Sequence, residues 1–334
     1  MLDHFPHQHA GHCESGTFSG LLRQRGLTLS EPLVFGIGGG LFFLHLPFIK
    51  VGGIPLTAYR DMPRAIIKSC SRRLGVTMIE RRFSNADEVM RHLDTLLERN
   101  IPVGMQTSVF WLPYFPADMR FQFNGHNLIA YARQGNNYLL SDPVFEHVVS
   151  CPADDLRRAR FARGTFAPKG LIYYPEKINH TPDVPRAVRV AIRSAAQRML
   201  KIPLPYFGIR GIRYLSRSVL QWPRQHGDAA ALVWVGSVIR MQEEIGTGGA
   251  GFRFMYAAFL MEAAEILGLP ALRDISNDMT LTGDLWREFA LAGALLCKGR
   301  ASGPAAYAKL SDLLAQCAER EAAIYRRLLQ VVAK

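Results

Sequence analysis

The chain has 334 residues, of which 49% are hydrophobic and 20% charged, and its formal net charge is +12. This balance is typical of a folded globular protein, excludes a disordered one, and at this length suggests two domains. No apolar run is long enough to span a membrane, and the N-terminus lacks the basic-then-apolar pattern of a signal peptide. Five scattered cysteines without CxxC spacing argue against a disulfide framework and a structural zinc site, so we expect a cytoplasmic protein.

The first 180 residues predict helices and strands in alternation. One helix is expected over 15–26, just after Cys13, with Ser15 as its possible N-cap, and a second begins at Ser30. A third is predicted over 85–98, where apolar residues recur at helical spacing. The predicted strands cover residues 102–110, 127–132, 138–141 and 170–175. The glycine and two asparagines between the second and third of these strands predict a β-hairpin.

From Thr181 onward, long helical periodicity replaces the strand-like patterns. The predicted helices lie near 183–201, 207–222, 228–245, 252–268, 278–297 and 303–332. We therefore predict an α+β N-terminal domain, residues 1–180, followed by an all-α C-terminal domain, residues 181–334.

Three residues point most directly to chemistry: Cys13, His126 and Asp142, in that chain order. Cys13 lies just before the first predicted helix, where the helix amides favour a thiolate and offer a place for an oxyanion. His126 begins the first strand of the predicted hairpin and Asp142 ends the second, so the two can be neighbours across an antiparallel pair. A carboxylate that orients an imidazole beside a thiol is the arrangement of nucleophilic cysteine catalysis. Taken singly, each residue is more often structural.

Six segments carry a further signal: GHCESGTF, LSEPLVFGIGGGLFF and VGG, then FNGHNLIAYA and YLLSDP, and later IGTGGAGFRFMYAAFLMEAAEILG. Together they resemble the butirosin biosynthesis protein H-like family over roughly residues 11–145 and 240–270. The resemblance implies a papain-like N-terminal domain and an acyltransferase that takes an acyl group from the phosphopantetheine thioester of an acyl carrier protein and passes it to an amine. It implies Cys13 as nucleophile, His126 as general base and Asp142 as the residue that orients it.

The donor of the oxyanion hole is harder to name. Papain-like enzymes place a glutamine about six residues before the cysteine, but here Gln8 is five before Cys13 and His7 occupies the sixth position. Gln8 is therefore one candidate and the backbone N–H of Cys13 the other. The four histidines within residues 4–12 suggest zinc, but without a second ligand cluster we predict no metal.

Two glycine-rich stretches match neither a P-loop nor a dinucleotide-binding fingerprint. One interpretation is tight packing or a sharp turn, and the other is close approach of the backbone to a long thin ligand such as a phosphopantetheine arm. On the second interpretation, the candidate substrate-binding residues in these stretches are Gly38, Gly39, Gly248 and Gly249. Beside the second stretch, Arg253, Tyr256 and Glu243 are candidates to line an acceptor pocket.

The positive charge is concentrated in residues 186–224, which hold nine basic residues and no Asp or Glu. Among them, Arg210, Arg213 and Arg217 recur at i, i+3 and i+7, so they share a helix face. Arginine suits phosphate and carboxylate recognition, and we interpret this face as a docking site for an acidic acyl carrier protein rather than as a solvated face. Without an RNP motif, a zinc finger or a basic zipper, nucleic acid is not the expected partner.

The sequence thus predicts a two-domain cytoplasmic acyltransferase of secondary-metabolite or lipid-like biosynthesis. It needs no cofactor of its own, because the acyl donor arrives on a carrier's phosphopantetheine, and its acceptor is a small-molecule amine or hydroxyl. The helical domain is expected to act as a lid or as the docking platform. The alternatives are a cysteine peptidase or amidase that uses the same three residues, and a non-catalytic protein that binds an acyl ligand.

Overall fold

The computed structural model describes residues 4–178 and 181–333, and its fold class is α+β, as the sequence predicts. In chain order, the helices are α1 (Cys13–Gln24), α2 (Glu31–Ile37), α3 (Ala65–Leu74), α4 (Ala86–Glu98), α5 (Ala153–Arg160), α6 (Val184–Lys201), α7 (Gly208–Val219), α8 (Trp222–His226), α9 (Asp228–Glu243), α10 (Arg253–Leu267), α11 (Ala271–Cys297) and α12 (Gly303–Val331). The strands are β1 (Leu41–Val51), β2 (Ile54–Arg60), β3 (Val76–Arg81), β4 (Val103–Thr107), β5 (His126–Gln134), β6 (Asn137–Ser141), β7 (Val149–Pro152) and β8 (Ile172–Ile178).

Residue contacts divide the chain into two compact units. The first, which we call the sheet unit, consists of Met1–Val34 and Ile66–Pro182. The second, the helical unit, consists of Phe35–Ala65 and Asp183–Lys334. The division expected from the sequence keeps all of 1–180 together, whereas Phe35–Ala65 clusters with the C-terminal helices.

A six-stranded antiparallel sheet in the order β3-β8-β4-β5-β6-β7 organises the sheet unit. The predicted hairpin is confirmed, since β5 and β6 pair from Gln134 opposite Asn137 to Ile129 opposite Ser141. The strand predicted over 102–110 is shorter, because the chain leaves the sheet after β4 and forms a 3₁₀ turn at Val109–Trp111.

The core of the sheet unit joins α4 and α5 to the sheet. Helix α4 begins after Asn85, whose side chain accepts hydrogen bonds from the backbone N–H groups of Asp87 and Glu88 at 2.8 and 3.0 Å. The predicted helix over 85–98 is therefore confirmed. Buried side chains that pack together here include Val89, Leu93, Leu97, Met105, Leu128 and Leu156. Burial of side chains of this size, at about 1.5–3 kcal/mol each, provides the main stabilisation of the sheet unit.

Helix α1 begins two residues before the predicted N-cap. Its N-cap is His12, which has an extended backbone and accepts a hydrogen bond from the backbone N–H of Ser15 at 3.4 Å. The prediction of Ser15 as N-cap is wrong, because the imidazole ring takes the capping role and leaves Ser15 in the first turn. Cys13 is thus the first residue of the helix.

The helical unit combines α6–α12 with a β-hairpin, β1–β2, that the sequence analysis does not predict. The hairpin carries aromatic side chains into the unit: the ring of Phe43 lies 5.4 Å from that of Tyr59 and 6.0 Å from that of Trp286. The helix predicted near 207–222 ends at Val219, and a separate short helix, α8, begins at Trp222. Helix α11 begins at Ala271 rather than near residue 278. No helix in the described part of the chain has both the length and the apolar composition that crossing a membrane requires.

Candidate active site

The structure brings Cys13, His126 and Asp142 together from α1, β5 and the end of β6. Nε2 of His126 lies 2.7 Å from Oδ2 of Asp142, and Cys13 is near enough to His126 to raise the pKa of its ring. Because Nε2 contacts the carboxylate, Nδ1 is the ring nitrogen left for the thiol. Cys13 is 9% exposed, His126 4% and Asp142 0%, so the three groups interact largely shielded from water.

A close approach of helix α1 to the loop after β6 holds Cys13 near Asp142. Gly16 lies one turn after the cysteine, and a Cβ atom on it would lie 2.5 Å from Cβ of Ala10 and 2.8 Å from Cβ of Pro143. The backbone N–H of Ala10 also donates to the carbonyl of Pro143 at 2.6 Å. Glycine is therefore required at position 16 for the helix to reach the residue that follows Asp142.

A half-buried carboxylate, that of Glu31, holds the backbone that leads into Cys13. Glu31 accepts hydrogen bonds from the backbone N–H groups of Gly11 and His12 at 2.8 and 2.7 Å, and from the Ser15 hydroxyl at 3.0 Å. Burial raises the pKa of Glu31, although these hydrogen bonds act in the opposite direction. The sequence analysis treats this residue only as part of a helix start, and its partners lie 16–20 residues away in the chain.

Asp142 has further donors that the sequence analysis missed. The hydroxyl of Tyr114 donates to Oδ2 of Asp142 at 2.8 Å, and the backbone N–H of Val144 donates to Oδ1 at 3.3 Å. Burial and the charge of Asp142 raise the pKa of Tyr114 well above its ordinary value, so the phenol stays protonated as a donor. The ring of Phe115 meets His126 edge-on, with centroids 5.4 Å apart. These contacts fix the orientation of both the carboxylate and the imidazole.

Electrostatics favour the charged form of His126. Burial lowers its pKa, but the charge and hydrogen bond of Asp142, together with Cys13, outweigh that effect and raise the pKa to about 10. The ring is therefore an imidazolium at neutral pH. An imidazolium can give its proton to a leaving group, which is the role of a general acid.

Two family models match the chain, one for each half. The N-terminal domain of butirosin biosynthesis protein H matches residues 12–143, and a domain of unknown function, DUF4872, matches residues 154–328, just over half of the chain. The chain belongs to the DUF4872 family, and its first half resembles the N-terminal domain of butirosin biosynthesis protein H. The resemblance suggested by the Cys13 and hairpin segments is thus confirmed.

The solved structures that match include one described as a C39-like peptidase from Bacillus anthracis. It is 12% identical, with a TM-score of 0.38, and the similarity covers 54% of this chain and 98% of the peptidase chain. A search of curated proteins found no match.

In this family member, the residue before Gln8 has the more defined position. His7 contacts the hydroxyl of Ser141 through Nδ1 at 2.8 Å and the carbonyl of Phe145 through Nε2 at 3.0 Å, which links the N-terminal segment to both sides of Asp142. Gln8 itself is exposed. The amides in the first turn of α1 have no partners within the helix, so the backbone N–H of Cys13 remains the better placed oxyanion donor. Among residues 4–178 and 181–333, no group of three or more His, Cys, Asp or Glu side chains is arranged to hold a metal ion.

The glycine-rich stretches lie in the helical unit. Gly38 and Gly39 are buried, and a Cβ on the adjacent Gly40 would lie 2.4 Å from the ring of Phe35, which fits the tight-packing interpretation. Gly248 and Gly249 have φ of +65° and +88° in the loop before α10, which only glycine adopts readily.

The other proposed ligand contacts in this unit stabilise its interior. Glu243 accepts a hydrogen bond from the backbone N–H of Ala250 at 3.1 Å and so supports the glycine loop. Arg253 is 0% exposed and pairs with Glu321, with 2.9 Å between Nε and Oε1. Tyr256 is 1% exposed. Burial assigns Arg253 and Tyr256 to the core, which corrects their prediction as residues that line an acceptor pocket.

The three predicted docking arginines, Arg210, Arg213 and Arg217, all lie on α7. Arg210 and Arg217 are exposed, while Arg213 forms an ion pair with Glu319 of α12 at 2.7 Å. Residues 186–224 contain no acidic residue, but in the folded protein Glu319 of α12 lies beside Arg213 and compensates its charge.

Proposed function

We propose that this protein is an acyltransferase that carries its acyl group on Cys13. Family membership and the layout of the site support a papain-like cysteine enzyme, and acyl transfer is the more specific activity that we infer. The observation that carries the proposal is the convergence of Cys13, at the first turn of α1, with the hydrogen-bonded pair His126–Asp142. The raised pKa of His126 supports its role as the group that gives a proton to the departing thiol.

The reaction proceeds in two balanced steps. In the first, the Cys13 thiolate attacks the carbonyl carbon of a thioester donor, the bond to the donor sulfur breaks, and His126 gives its proton to the departing thiol. In the second, an amine or hydroxyl acceptor attacks the Cys13 thioester, His126 takes the proton of the acceptor, and Cys13 leaves as the thiolate. First-turn amides of α1 stabilise the oxyanion in both steps, and Asp142 stabilises the imidazolium.

The test is acylation of the enzyme in the absence of an acceptor. Wild-type protein and Cys13→Ala are incubated with a panel of thioesters, on acyl carrier proteins and on small thiols, and intact mass is recorded. An acyl adduct in wild type that is missing in Cys13→Ala supports transfer. No adduct with any thioester, together with cleavage of a peptide amide, would show a peptidase or amidase instead. No reaction of either kind would favour a binding protein.

An acidic acyl carrier protein is the donor partner that we propose, docked through Arg210, Arg213 and Arg217. Reversing these three charges to Glu is expected to slow acylation by the carrier-bound donor about tenfold or more, because complementary charges speed association. Acylation by a small thioester carrying the same acyl group should be much less affected. The measurement is the acylation rate constant for both donors.

Charge reversal at Arg91 and Arg99, which are exposed on the sheet unit, serves as the control. Equal slowing of both donors by the α7 variant would place carrier docking elsewhere.

A further inference from the structure

A cleft of about 950 Å³ opens in the sheet unit beside the strand that begins with His126. Its volume is that of a small-molecule site. Buried polar side chains, Ser108 and Asn124, contribute to its lining, as do the exposed rings of Phe110 and Trp111. The triad chemistry described above uses none of these four residues.

The cleft adjoins the candidate active site through two strands. Asn124 precedes His126 by two residues, so their Cα atoms are at most about 7.6 Å apart. Ser108 directly follows Thr107, which is the Cα partner of His126 between β4 and β5. Two lining residues of the cleft are therefore close in the backbone to His126.

Hydrogen bonds hold one wall of the cleft in place. The side-chain amide of Asn124 donates to the carbonyls of Arg163 and Thr165 at 3.1 and 3.0 Å. The amide of Gln106 donates to the carbonyls of Asn124 and Phe166, both at 2.7 Å. The loop that carries Arg163 is thus fixed to β4 and to the segment that precedes His126, which favours a preformed site over one that the ligand must order.

The lining is rich in guanidinium groups. Arg157, Arg158 and Arg163 line the cleft, with Asp154 as the acidic lining residue. Arg157 pairs with Asp87 at 2.9 Å and Arg158 with Asp155 at 3.6 Å, both exposed pairs that exchange readily for a ligand anion. Two adjoining clefts add the basic residues Arg82, Arg120 and Lys169.

Arginine next to exposed aromatic rings favours a ligand with two kinds of surface. Guanidinium groups bind phosphate oxygens in a bidentate manner. Phe110 is 41% and Trp111 38% exposed, and the guanidinium of Arg158 lies 5.6 Å from the Trp111 ring centroid. An elongated ligand with a phosphate at one end and a less polar chain fits this combination.

We propose that this cleft binds the phosphate-bearing arm of the acyl donor, the phosphopantetheine that carrier proteins and coenzyme A have in common. The inference rests on the proposed function, because a donor arm is needed only if Cys13 is acylated. It assigns the arm to the sheet unit, against the residues that precede β5, and leaves the arginines of α7 for the body of a carrier.

The test compares donors that differ only in the phosphate. One acyl group is presented on pantetheine, 4′-phosphopantetheine, coenzyme A and an acyl carrier protein, and the acylation of Cys13 is followed by intact mass. We expect kcat/KM to be about tenfold or more higher with phosphopantetheine than with pantetheine, the size of effect that a hydrogen-bonded ion pair gives. In Arg158→Gln/Arg163→Gln this ratio should fall to about one.

The matched control removes the same charge elsewhere on the sheet unit. Arg91→Gln/Arg99→Gln should keep the wild-type ratio, since neither side chain lines the cleft. A higher kcat/KM with the coenzyme A thioester than with the phosphopantetheine thioester would identify coenzyme A as the donor. No such gain, with a gain for the carrier protein, would identify the carrier. Equal rates with and without the phosphate, or a ratio that survives in Arg158→Gln/Arg163→Gln, would overturn the proposal.

A binding measurement separates this inference from the proposed function. If no thioester acylates Cys13, the acyltransferase proposal fails, and calorimetry with 4′-phosphopantetheine and coenzyme A still tests the cleft. Binding that weakens about tenfold in Arg158→Gln/Arg163→Gln, but not in Arg91→Gln/Arg99→Gln, supports the phosphate site. Absence of binding to the wild-type protein would overturn it.

Discussion

Replacing Asp142 with asparagine is expected to lower the rate constant for Cys13 acylation at pH 7 by about 10³- to 10⁴-fold. The amide keeps the shape of the side chain but removes the charge that raises the pKa of His126 to about 10. Burial, which lowers that pKa, then dominates and leaves the ring neutral. Without an imidazolium, the departing thiol has no proton donor, so acylation of Cys13 slows.

The measurement is single-turnover acylation as a function of pH, together with an NMR titration of the His126 ring. Tyr114→Phe is the matched control, because it removes one hydrogen bond to the same carboxylate oxygen without removing charge, and it should cost about tenfold at most. A loss below tenfold in Asp142→Asn, with an unchanged titration of His126, would show that the carboxylate does not act through the ring.

The same titration has a consequence for stability. His126 has a pKa of about 10 in the folded protein, against an ordinary value of 6.5. The folded state therefore holds a proton that the unfolded state releases, and its contribution to the free energy of unfolding is fully present below about pH 6.5. That contribution is lost as the pH rises through about 10, and the loss should disappear in His126→Gln.

Replacing Gly16 with valine is expected to reduce acylation about 100-fold and the free energy of unfolding by about 1–3 kcal/mol. A side chain at this position collides with Ala10 and Pro143, whose Cβ atoms lie 2.5 and 2.8 Å from the position of an added Cβ. Relief of the collision moves the first turn of α1, and Cys13 with it, away from the loop that follows Asp142.

Gly20→Ala on the same helix is the control. Its Cβ would lie 3.1 Å from the end of the Ile129 side chain, which can shift, and it faces no atom of the Asp142 loop. Acylation kinetics and chemical denaturation of both variants give the comparison. A stable Gly16→Val protein with wild-type acylation would show that the approach of α1 to Pro143 does not position Cys13.

The parts of the fold that local patterns determine could be predicted. Asn85 marks the start of α4, because a capping side chain bonds to backbone groups within three residues. The turn after Gln134 predicts the hairpin, because the residues of a tight turn are neighbours in sequence. The hairpin in turn brings His126 and Asp142 together, so much of the candidate site follows from one supersecondary element. The order of Cys13 and these two residues, with the family resemblance, supplied the rest of the predicted triad.

The supporting residues could not be predicted, because their contacts depend on tertiary structure. Tyr114 contacts Asp142 across 28 residues, and Glu31 contacts Gly11 across 20, with no periodicity that marks either pair. For Arg253, by contrast, the sequence analysis predicts a role that the structure does not support. A charged residue after a glycine loop suggested an exposed ligand contact, yet Glu321, 68 residues away, pairs with it in the core. Pairing of this kind is what allows a charge to be buried, and the sequence around Arg253 does not reveal it.

The membership of Phe35–Ala65 in the helical unit constrains how the chain is made and how it can be cut. During synthesis, the β1–β2 hairpin emerges long before α7 and α9, the helices its strands pack against. Phe43 and Tyr59 must therefore stay without Trp286 until most of the chain has left the ribosome. Apolar surface that stays exposed during synthesis is a binding site for chaperones. A fragment that ends near residue 180 would keep the hairpin without its partners. We therefore expect that the two matched domains fold only when they are expressed as one chain.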